Sequence, residues 1–211
     1  MDGGSTDGTL EVLKAQSASV AVLVSATDGG IYDALNKGMA RATGDVIGVM
    51  HSDDFYADDD VLMLVAQAFD DPTVDAVYGD LDYVARDDPT RIIRRWRSGA
   101  YSASRLARGW MPPHPTLFVR RRVIEQWGGY DTSFRISADY DSILRYFHLG
   151  GIRVGYIPRV LVKMRVGGES NRSLSRILRK SREDYRALRG NGVGGVWALA
   201  WKNLSKLGQF V

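Results

Sequence analysis

Residues 28–54 read DGGIYDALNKGMARATGDVIGVMHSDD, and this stretch predicts one helix, one strand and one polar strand end. The glycine pair precedes a segment from Ile31 to Ala42 in which apolar side chains recur at helical spacing, and Thr43-Gly44 ends it. The short apolar run from Asp45 to Met50 predicts a buried strand. That strand leads directly into the polar cluster from His51 to Asp54. A strand with polar residues at its carboxyl end is typical of ligand-binding α/β proteins.

The alternation of helices and strands continues on both sides of this stretch. Before it, helical spacing begins near Thr9, and the apolar run from Ser19 to Ser25 predicts a strand. After it, we expect a helix ending near Phe69 and a strand from Val74 to Val84. The pattern therefore predicts an α/β fold with a mainly parallel sheet and helices on both faces.

The second half of the chain is less regular. Three prolines between Trp110 and Pro115 exclude a helix there and predict a loop. The remaining patterns predict strands at 91–96, 116–119 and 154–166, and helices at 122–127, 138–148 and 173–188.

Composition excludes several classes of protein. The 211 residues include no cysteine, so disulfide frameworks, thiolate zinc sites and cysteine nucleophiles are excluded. No apolar run reaches the length of a bilayer span, and no signal-peptide pattern begins the sequence. From these features we expect a cytoplasmic protein.

Charge is segregated along the chain. Residues 1–90 carry a net charge of −14, residues 91–171 carry +10, and residues 172–211 carry +7. This is not the continuous basic surface of a DNA-binding protein, so no nucleic-acid partner is expected. The segregation suits a cleft that holds a cation and an anionic ligand together, and solvated charged faces are the alternative interpretation.

The carboxylate pair Asp53-Asp54 directly follows the strand that ends at Met50. Mg²⁺ and Mn²⁺ prefer oxygen ligands and often share their coordination between protein carboxylates and substrate phosphates. The position of the pair therefore indicates a divalent-cation site. The alternative is that Ser52 or Asp53 only caps the turn into the following helix.

Two further clusters can carry chemistry. The loop from Asp2 to Thr9 is rich in glycine and leads into a helix N-terminus, where free N–H groups favour anions. A turn with a capped helix is the alternative there. Asp139 lies at the start of a predicted helix and could act as a general base, although helix N-terminal acids are common. His114, between prolines, has the residue type of a catalytic group but also suits loop packing.

The order of these clusters along the chain resembles glycosyltransferase family 2. The stretches that carry the resemblance run from Asp2 to about Asn171 and read DGGSTDGT, DGGIYDALNKGMARATGDVIGVMHSDD, HPTLFVRR, GGYDTSFRISADYDSILRY and MRVGGESN. The resemblance implies a Rossmann-like GT-A fold and an inverting transfer of a sugar from a nucleotide donor. It also implies a divalent cation, Mn²⁺ or Mg²⁺, as cofactor.

The family's site residues can be carried over position by position. Asp2 matches the acidic residue that contacts the nucleotide, and Asp28 matches the one near the base and ribose. Asp53 falls in the metal-binding aspartate motif of the family, with Asp54 after it. His51 stands at the motif's first acidic position, which leaves one hard oxygen ligand fewer.

The resemblance also supplies a base and candidates for diphosphate contact. Asp139 matches the catalytic base that deprotonates the acceptor hydroxyl. Lys37, Arg165 and the Gly167-Gly168 loop are candidates for contact with the diphosphate, and solvated side chains are the alternative for the two cations. We expect a UDP-sugar as donor and a saccharide or lipid-linked saccharide as acceptor, in polysaccharide assembly.

The ends of the chain depart from the family pattern. The family's domain begins with a strand, a helix and a second strand that have no counterpart before Asp2, so we expect an N-terminally truncated domain over residues 1–171. Residues 172–211 are expected to form a basic helical tail that contacts an anionic membrane surface, or else a helix packed on the core. A truncated, inactive or partner-dependent homologue that binds nucleotide-sugar is the alternative function.

Overall fold

A computed structural model of the chain describes residues 1–166 and 174–204. The helices in these ranges are α1 Thr9–Ala15, α2 Ile31–Arg41, α3 Val61–Ala68, α4 Ala103–Leu106, α5 Arg121–Trp127, α6 Ala138–Leu144, α7 Leu174–Gly190 and α8 Val196–Leu204. The strands are β1 Val46–Gly48, β2 Asp54–Tyr56, β3 Ala76–Val84, β4 Ile92–Trp96, β5 Phe118–Arg120 and β6 Val154–Arg165. A π-helical segment, Arg145–Leu149, continues α6.

These strands form one sheet in the order β1-β5-β3-β6-β2, with β4 pairing with β3 as well. In this sheet β3 and β6 are parallel, and the pairs β1–β5, β3–β5, β3–β4 and β2–β6 are antiparallel. The prediction of a mainly parallel sheet is therefore wrong. Short connections such as the one from β3 to β4 return the chain antiparallel, whereas a parallel pair needs a long crossover.

The core lies on both faces of the sheet, as predicted. Along β3, Ala76 and Tyr78 face one hydrophobic cluster, and Val77 and Leu81 face the other. The first cluster includes residues of α6 and α7, and the second includes residues of α3. Each fully buried aliphatic side chain contributes about 1.5–3 kcal/mol, so the two clusters hold the helices onto the sheet.

The two C-terminal helices belong to the first hydrophobic cluster. Ala187 and Leu188 of α7 are fully buried there, and Ala198 of α8 is buried beside them. The helical spacing predicted for the start of this region is confirmed by α7. The Gly167-Gly168 loop, predicted as a diphosphate contact, lies outside the described residues.

One predicted local structure is wrong. The run from Ser19 to Ser25 forms no regular strand, because it pairs only through the bridge between Asp2 and Ser25, and Val22 is 57% exposed. The short strand β2, which follows the polar cluster after Met50, has no counterpart among the predicted elements and forms through its pairing with β6. Both differences arise because strands depend on partners distant in sequence.

Candidate functional site

The loop that begins at Asp2 is organised by its own carboxylate. The side chain of Asp2 accepts hydrogen bonds from the backbone N–H groups of Gly4 and Ser5, at 3.2 and 3.1 Å. It also accepts from the hydroxyls of Ser25 and Ser5, both at 2.5 Å. These bonds lower the pKa of Asp2 to about 2, and the bond from the Ser25 hydroxyl has the largest effect on the pKa. Asp2 is therefore an anion that shapes the glycine-rich loop.

The loop that contains Asp28 lies against the Asp2 loop. A Cβ atom added to Gly3 would lie 2.8 Å from Asp28 Oδ2, so the carboxylate of Asp28 faces the backbone of the first loop. Asp28 Oδ1 accepts a hydrogen bond from Gly30 N–H at 2.9 Å, at the start of α2. The residues predicted to contact the nucleotide, Asp2 and Asp28, are thus neighbours.

Lys37 lies in the second turn of α2, beside the Asp28 loop. Its ammonium group forms a 2.7 Å ion pair with Asp33, and its Nζ atom donates to Thr27 O at 3.5 Å. Asp33 in turn accepts a hydrogen bond from Gly29 N–H at 2.8 Å. Lys37 therefore sits at the edge of the Asp28 loop, with its positive charge paired to Asp33.

Asp139 lies in the first turn of α6 and contacts α2. The hydroxyl of Tyr32 donates to Ile136 O at 2.6 Å and to Asp139 Oδ1 at 3.2 Å. Burial and the charge of Asp139 raise the pKa of Tyr32, so its hydroxyl keeps its proton and remains a donor. Tyr32 therefore holds the carboxylate of Asp139 against the N-terminal part of α2.

Two histidines lie near enough to Asp139 for its charge to act on both of them. The rings of His51 and His114 are 5.7 Å apart, and His114 Nε2 and the Tyr130 hydroxyl share a 2.6 Å hydrogen bond. Burial lowers the pKa of His51, against the opposing effects of Asp139 and Asp53. Burial also lowers the pKa of His114 to about 4. His51 thus lies within electrostatic range of both Asp139 and Asp53, and both rings are neutral at pH 7.

The Asp53-Asp54 pair lies at the start of β2. Asp53 is exposed, and Asp54 is buried with both carboxylate oxygens lacking a hydrogen-bond partner among the residues that the structure describes. Burial, with the charge of Asp53, raises the pKa of Asp54 to about 6. Arg165, at the end of β6, donates its backbone N–H to the backbone carbonyl of Asp53 at 3.3 Å. Its guanidinium group lies 4.6 Å from the centre of the Phe55 ring.

These residues fit a divalent cation only in part. Within residues 1–166 and 174–204, no group of three His, Asp or Glu side chains forms a complete metal site. The donor chemistry still suits a hard cation, because Asp54 offers unpartnered buried oxygens and the adjacent Asp53 offers an exposed carboxylate. An ion held by one or two such carboxylates needs water or phosphate oxygens to complete its coordination.

The predicted site residues therefore form two groups. Asp2, Asp28 and Lys37 lie at the start of α2, and His51, Asp53, Asp54 and Arg165 lie around β2. Asp139 is linked to the first group through Tyr32 and to the second through His51. The sequence interpretation missed Tyr32 and Tyr130, whose rings are 5.5 Å apart, because aromatic residues at helical or loop positions carry no local sign of such contacts.

Comparison with known proteins identifies the class. The sequence pattern of the family described as Glycosyl transferase family 2 matches residues 1–130. The chain belongs to this family.

Curated relatives are longer than this chain. It is 31% identical over 180 residues to a PGL/p-HBAD biosynthesis glycosyltransferase of Mycobacterium bovis (strain BCG / Pasteur 1173P2), covering 81% of this chain and 66% of the relative. It is 33% identical over 152 residues to an uncharacterized glycosyltransferase of Mycobacterium tuberculosis (strain CDC 1551 / Oshkosh), covering 69% of this chain and 55% of that protein. The chain thus spans between about half and two thirds of these relatives.

Solved structures confirm the GT-A fold. The mannosyltransferase PcManGT from Pyrobaculum calidifontis, in complex with GDP-Man and Mn²⁺, has a TM-score of 0.62 at 18% identity, covering 97% of this chain and 63% of that one. S. aureus TarS 1-349 in complex with UDP-GlcNAc has a TM-score of 0.66 at 16% identity, covering 91% and 55%. Among the described residues, no helix combines the length and apolar composition needed to cross a bilayer.

Proposed function

We propose that this chain transfers a sugar, with inversion, from a nucleoside diphosphate donor to a saccharide or lipid-linked saccharide in glycan assembly. UDP is the nucleotide we expect in the donor. The observation that carries the proposal is the position of Asp139, which contacts Tyr32 of α2 and lies within electrostatic range of His51 beside Asp53. Asp139 thus lies between the glycine-rich loop that begins at Asp2 and the polar cluster that contains Asp53 and Asp54. A carboxylate in this position is suited to remove the proton of an acceptor hydroxyl.

The proposed reaction assigns Asp139 as the base. The acceptor hydroxyl attacks the anomeric carbon while its proton passes to the carboxylate of Asp139. The new glycosidic C–O bond forms as the bond from the anomeric carbon to the diphosphate oxygen breaks, and the electron pair leaves with the nucleoside diphosphate. Asp53 and Asp54 would hold the divalent cation, which when bound supplies charge stabilisation for the leaving diphosphate.

The remaining predicted residues are proposed to contact the donor. Asp28 and Lys37 border the loop at the start of α2, where backbone N–H groups and a cation favour a nucleotide. Arg165 lies at the strand end beside Asp53 and is proposed to contact the diphosphate. Asp2 serves this site through the loop that it organises, because its oxygens already accept four hydrogen bonds. Neutral His51 is proposed as a third ligand or neighbour of the cation.

Donor turnover tests the role of Asp139. A panel of UDP- and GDP-sugars with and without Mn²⁺ identifies a donor, and binding of UDP with Mn²⁺ is measured by calorimetry. Asp139→Asn should abolish turnover and leave UDP binding nearly intact, whereas Asp59→Asn, at an exposed carboxylate, should change neither. Equal loss of both properties in Asp139→Asn would remove the residue from the role of base. UDP binding without turnover of any donor in the unaltered chain would favour the alternative of an inactive binding homologue.

The same assay tests the cation site. Asp53→Ala should weaken UDP binding in the presence of Mn²⁺ and change UDP binding in EDTA very little, because the carboxylate acts through the ion. An unchanged response to Mn²⁺ would exclude Asp53 as a ligand.

We also propose that α8 contacts an anionic membrane surface. Trp197, Trp201 and Leu204 recur at helical spacing and are 88%, 55% and 61% exposed, and exposed arginines of α7 such as Arg179 and Arg182 add positive charge. Replacing both tryptophans with serine should release the protein from vesicles that contain phosphatidylserine. The control replaces exposed Val12 of α1 with serine and should leave vesicle binding unchanged. Retained binding by the double serine variant would contradict the proposal.

A further inference from the structure

The helix that carries Asp139 is not capped by its own residues. Ser137 occupies the N-cap position of α6, but its hydroxyl donates to Asp184 Oδ1 of α7 at 2.7 Å. The backbone N–H groups of residues 135–137 instead donate to another acid of α7. Glu183 Oε2 accepts from Arg135, Ile136 and Ser137 N–H at 3.1, 2.8 and 3.0 Å. One carboxylate of α7 therefore accepts hydrogen bonds from three successive backbone N–H groups directly before α6, the helix that carries Asp139.

The opposite side of this segment is held by α2. Tyr32 donates to Ile136 O at 2.6 Å and reaches Asp139 Oδ1 at 3.2 Å. The backbone from Arg135 to Asp139 thus lies between an acceptor on α7 and a donor on α2. These hydrogen bonds on two sides fix the direction in which the first turn of α6 presents its side chains.

Asp184 is itself fixed in place by α7 and α8. Lys202 Nζ lies 3.0 Å from Asp184 Oδ2, and Lys180 Nζ lies 3.3 Å from the same atom. Burial would raise the pKa of Asp184, but the two lysines and the Ser137 hydroxyl outweigh it and hold the pKa below its ordinary value. Asp184 therefore remains an anion that accepts from the N-cap hydroxyl of α6.

We infer that Glu183 and Asp184 of α7 are positioning residues that set the orientation of Asp139 for catalysis. The inference rests on the proposed role of Asp139 as base. It gives the C-terminal helices a part in the reaction without contact with the substrate.

The size of the effect follows from the geometry that base catalysis requires. A general base must lie within hydrogen-bond reach of the proton that it removes, and a displacement of about 1 Å can cost on the order of 100-fold in rate. Replacing the charged acceptor of Glu183 with a neutral amide oxygen should weaken its hydrogen bonds to the N–H groups of residues 135–137 and loosen the first turn of α6, because charge-assisted hydrogen bonds are the stronger ones. We expect turnover to fall by about 10- to 100-fold, with little change in nucleotide binding.

The test compares Glu183→Gln with Glu125→Gln. Gln preserves the size of the side chain, and Glu125 is an exposed residue of α5 that serves as matched control. Three quantities are measured: donor turnover, calorimetric binding of UDP with Mn²⁺, and hydrogen–deuterium exchange of the peptide that covers residues 135–144. Glu183→Gln should speed exchange in that peptide and lower turnover, with UDP binding unchanged and exchange in β3 unaltered.

Each other outcome has a distinct meaning. Unchanged exchange at residues 135–144 would overturn the inference, because the cap would then not hold the segment. Faster exchange with wild-type turnover would also overturn it, because the capped segment would not govern the reaction. A loss of UDP binding equal to the loss of turnover, or faster exchange in β3, would show general unfolding and reject a positioning role. Absence of any donor turnover in the unaltered chain contradicts the proposed function, and the exchange measurement still reports whether Glu183 holds α6.

Discussion

The ion pair between Lys202 of α8 and Asp184 of α7 gives the sharpest stability prediction. Both side chains are almost fully buried, at 2% and 1% exposure, and their charged atoms lie 3.0 Å apart. The ammonium group also lies 3.0 Å from the centre of the Tyr140 ring. We predict that Lys202→Met strongly destabilises the protein, because it leaves the buried carboxylate of Asp184 without its closest counter-charge.

The expected magnitude follows from the partners that Asp184 keeps. Removing one member of a buried pair costs about 3–5 kcal/mol. Asp184 retains the Ser137 hydroxyl and the more exposed Lys180, so we expect a value near the lower limit, about 3 kcal/mol. For a chain of this size each kcal/mol lowers Tm by roughly 2–4 °C, so Tm should fall by roughly 6–12 °C.

Urea unfolding at pH 7, followed by tryptophan fluorescence, measures the effect. Lys14→Met on the exposed surface of α1 is the control and should change the free energy of unfolding by less than about 0.5 kcal/mol. The double variant Lys202→Met/Asp184→Asn should regain part of the loss, since it no longer buries an unpaired charge. A loss below about 1 kcal/mol in Lys202→Met would refute the reasoning, because a buried unpaired carboxylate should cost more than that.

The pH dependence of the pair has a defined sign. The pKa of Asp184 in the folded protein lies below its ordinary value of 3.8, so the unfolded chain binds this proton more readily. The stabilisation is therefore present above about pH 4 and is lost as the pH falls through the lower pKa of the folded state. Lys202→Met should lose less stability than the unaltered protein over that acid range.

Two further substitutions test the site and the sheet. Tyr32→Phe removes the donor to Ile136 O and Asp139, so it should lower the free energy of unfolding by about 1–2 kcal/mol and donor turnover by about tenfold, and unchanged turnover would contradict its role. Gly79→Ala would place Cβ in steric overlap with Leu161 Cγ and should cost about 3 kcal/mol in urea unfolding. Gly190→Ala, in open space at the end of α7, is the matched control, and an equal loss in both variants would rule out the steric explanation.

The sequence predicts local elements well where one residue or one spacing determines them. The helix expected from Ile31 to Ala42 is observed as Ile31–Arg41, because the glycines before it and the apolar spacing within it are both local signals. The long strand expected from Val74 to Val84 is observed as Ala76–Val84, because the residue pattern of this run is also a local signal. The direction of strand pairing is not a local property, which is why the prediction of a mainly parallel sheet failed.

The candidate site shows the same difference between local signals, which the sequence carries, and contacts between distant residues, which it does not. The acidic clusters around Asp2, Asp53 and Asp139 could be identified from residue type and position at element ends, and their roles remain predictions. The contacts that join them could not, because Tyr32 reaches Asp139 across 107 positions of sequence. The hydrogen bonds from residues 135–137 to Glu183 likewise connect positions 46 to 48 apart, and no periodicity or motif encodes them.

The parallel pairing of β3 with β6 determines how much of the chain must be synthesised before the centre of the sheet can form. Ala76 pairs with Val154, so 78 positions must emerge from the ribosome before this central pair can begin to form. Closing so long a segment is slow, since its entropy is lost before the new contacts compensate for it. The segment includes α6, and the acids that cap it follow β6 on α7. A nascent chain that ends before α7 therefore has Asp139 but lacks the carboxylates that hold its helix.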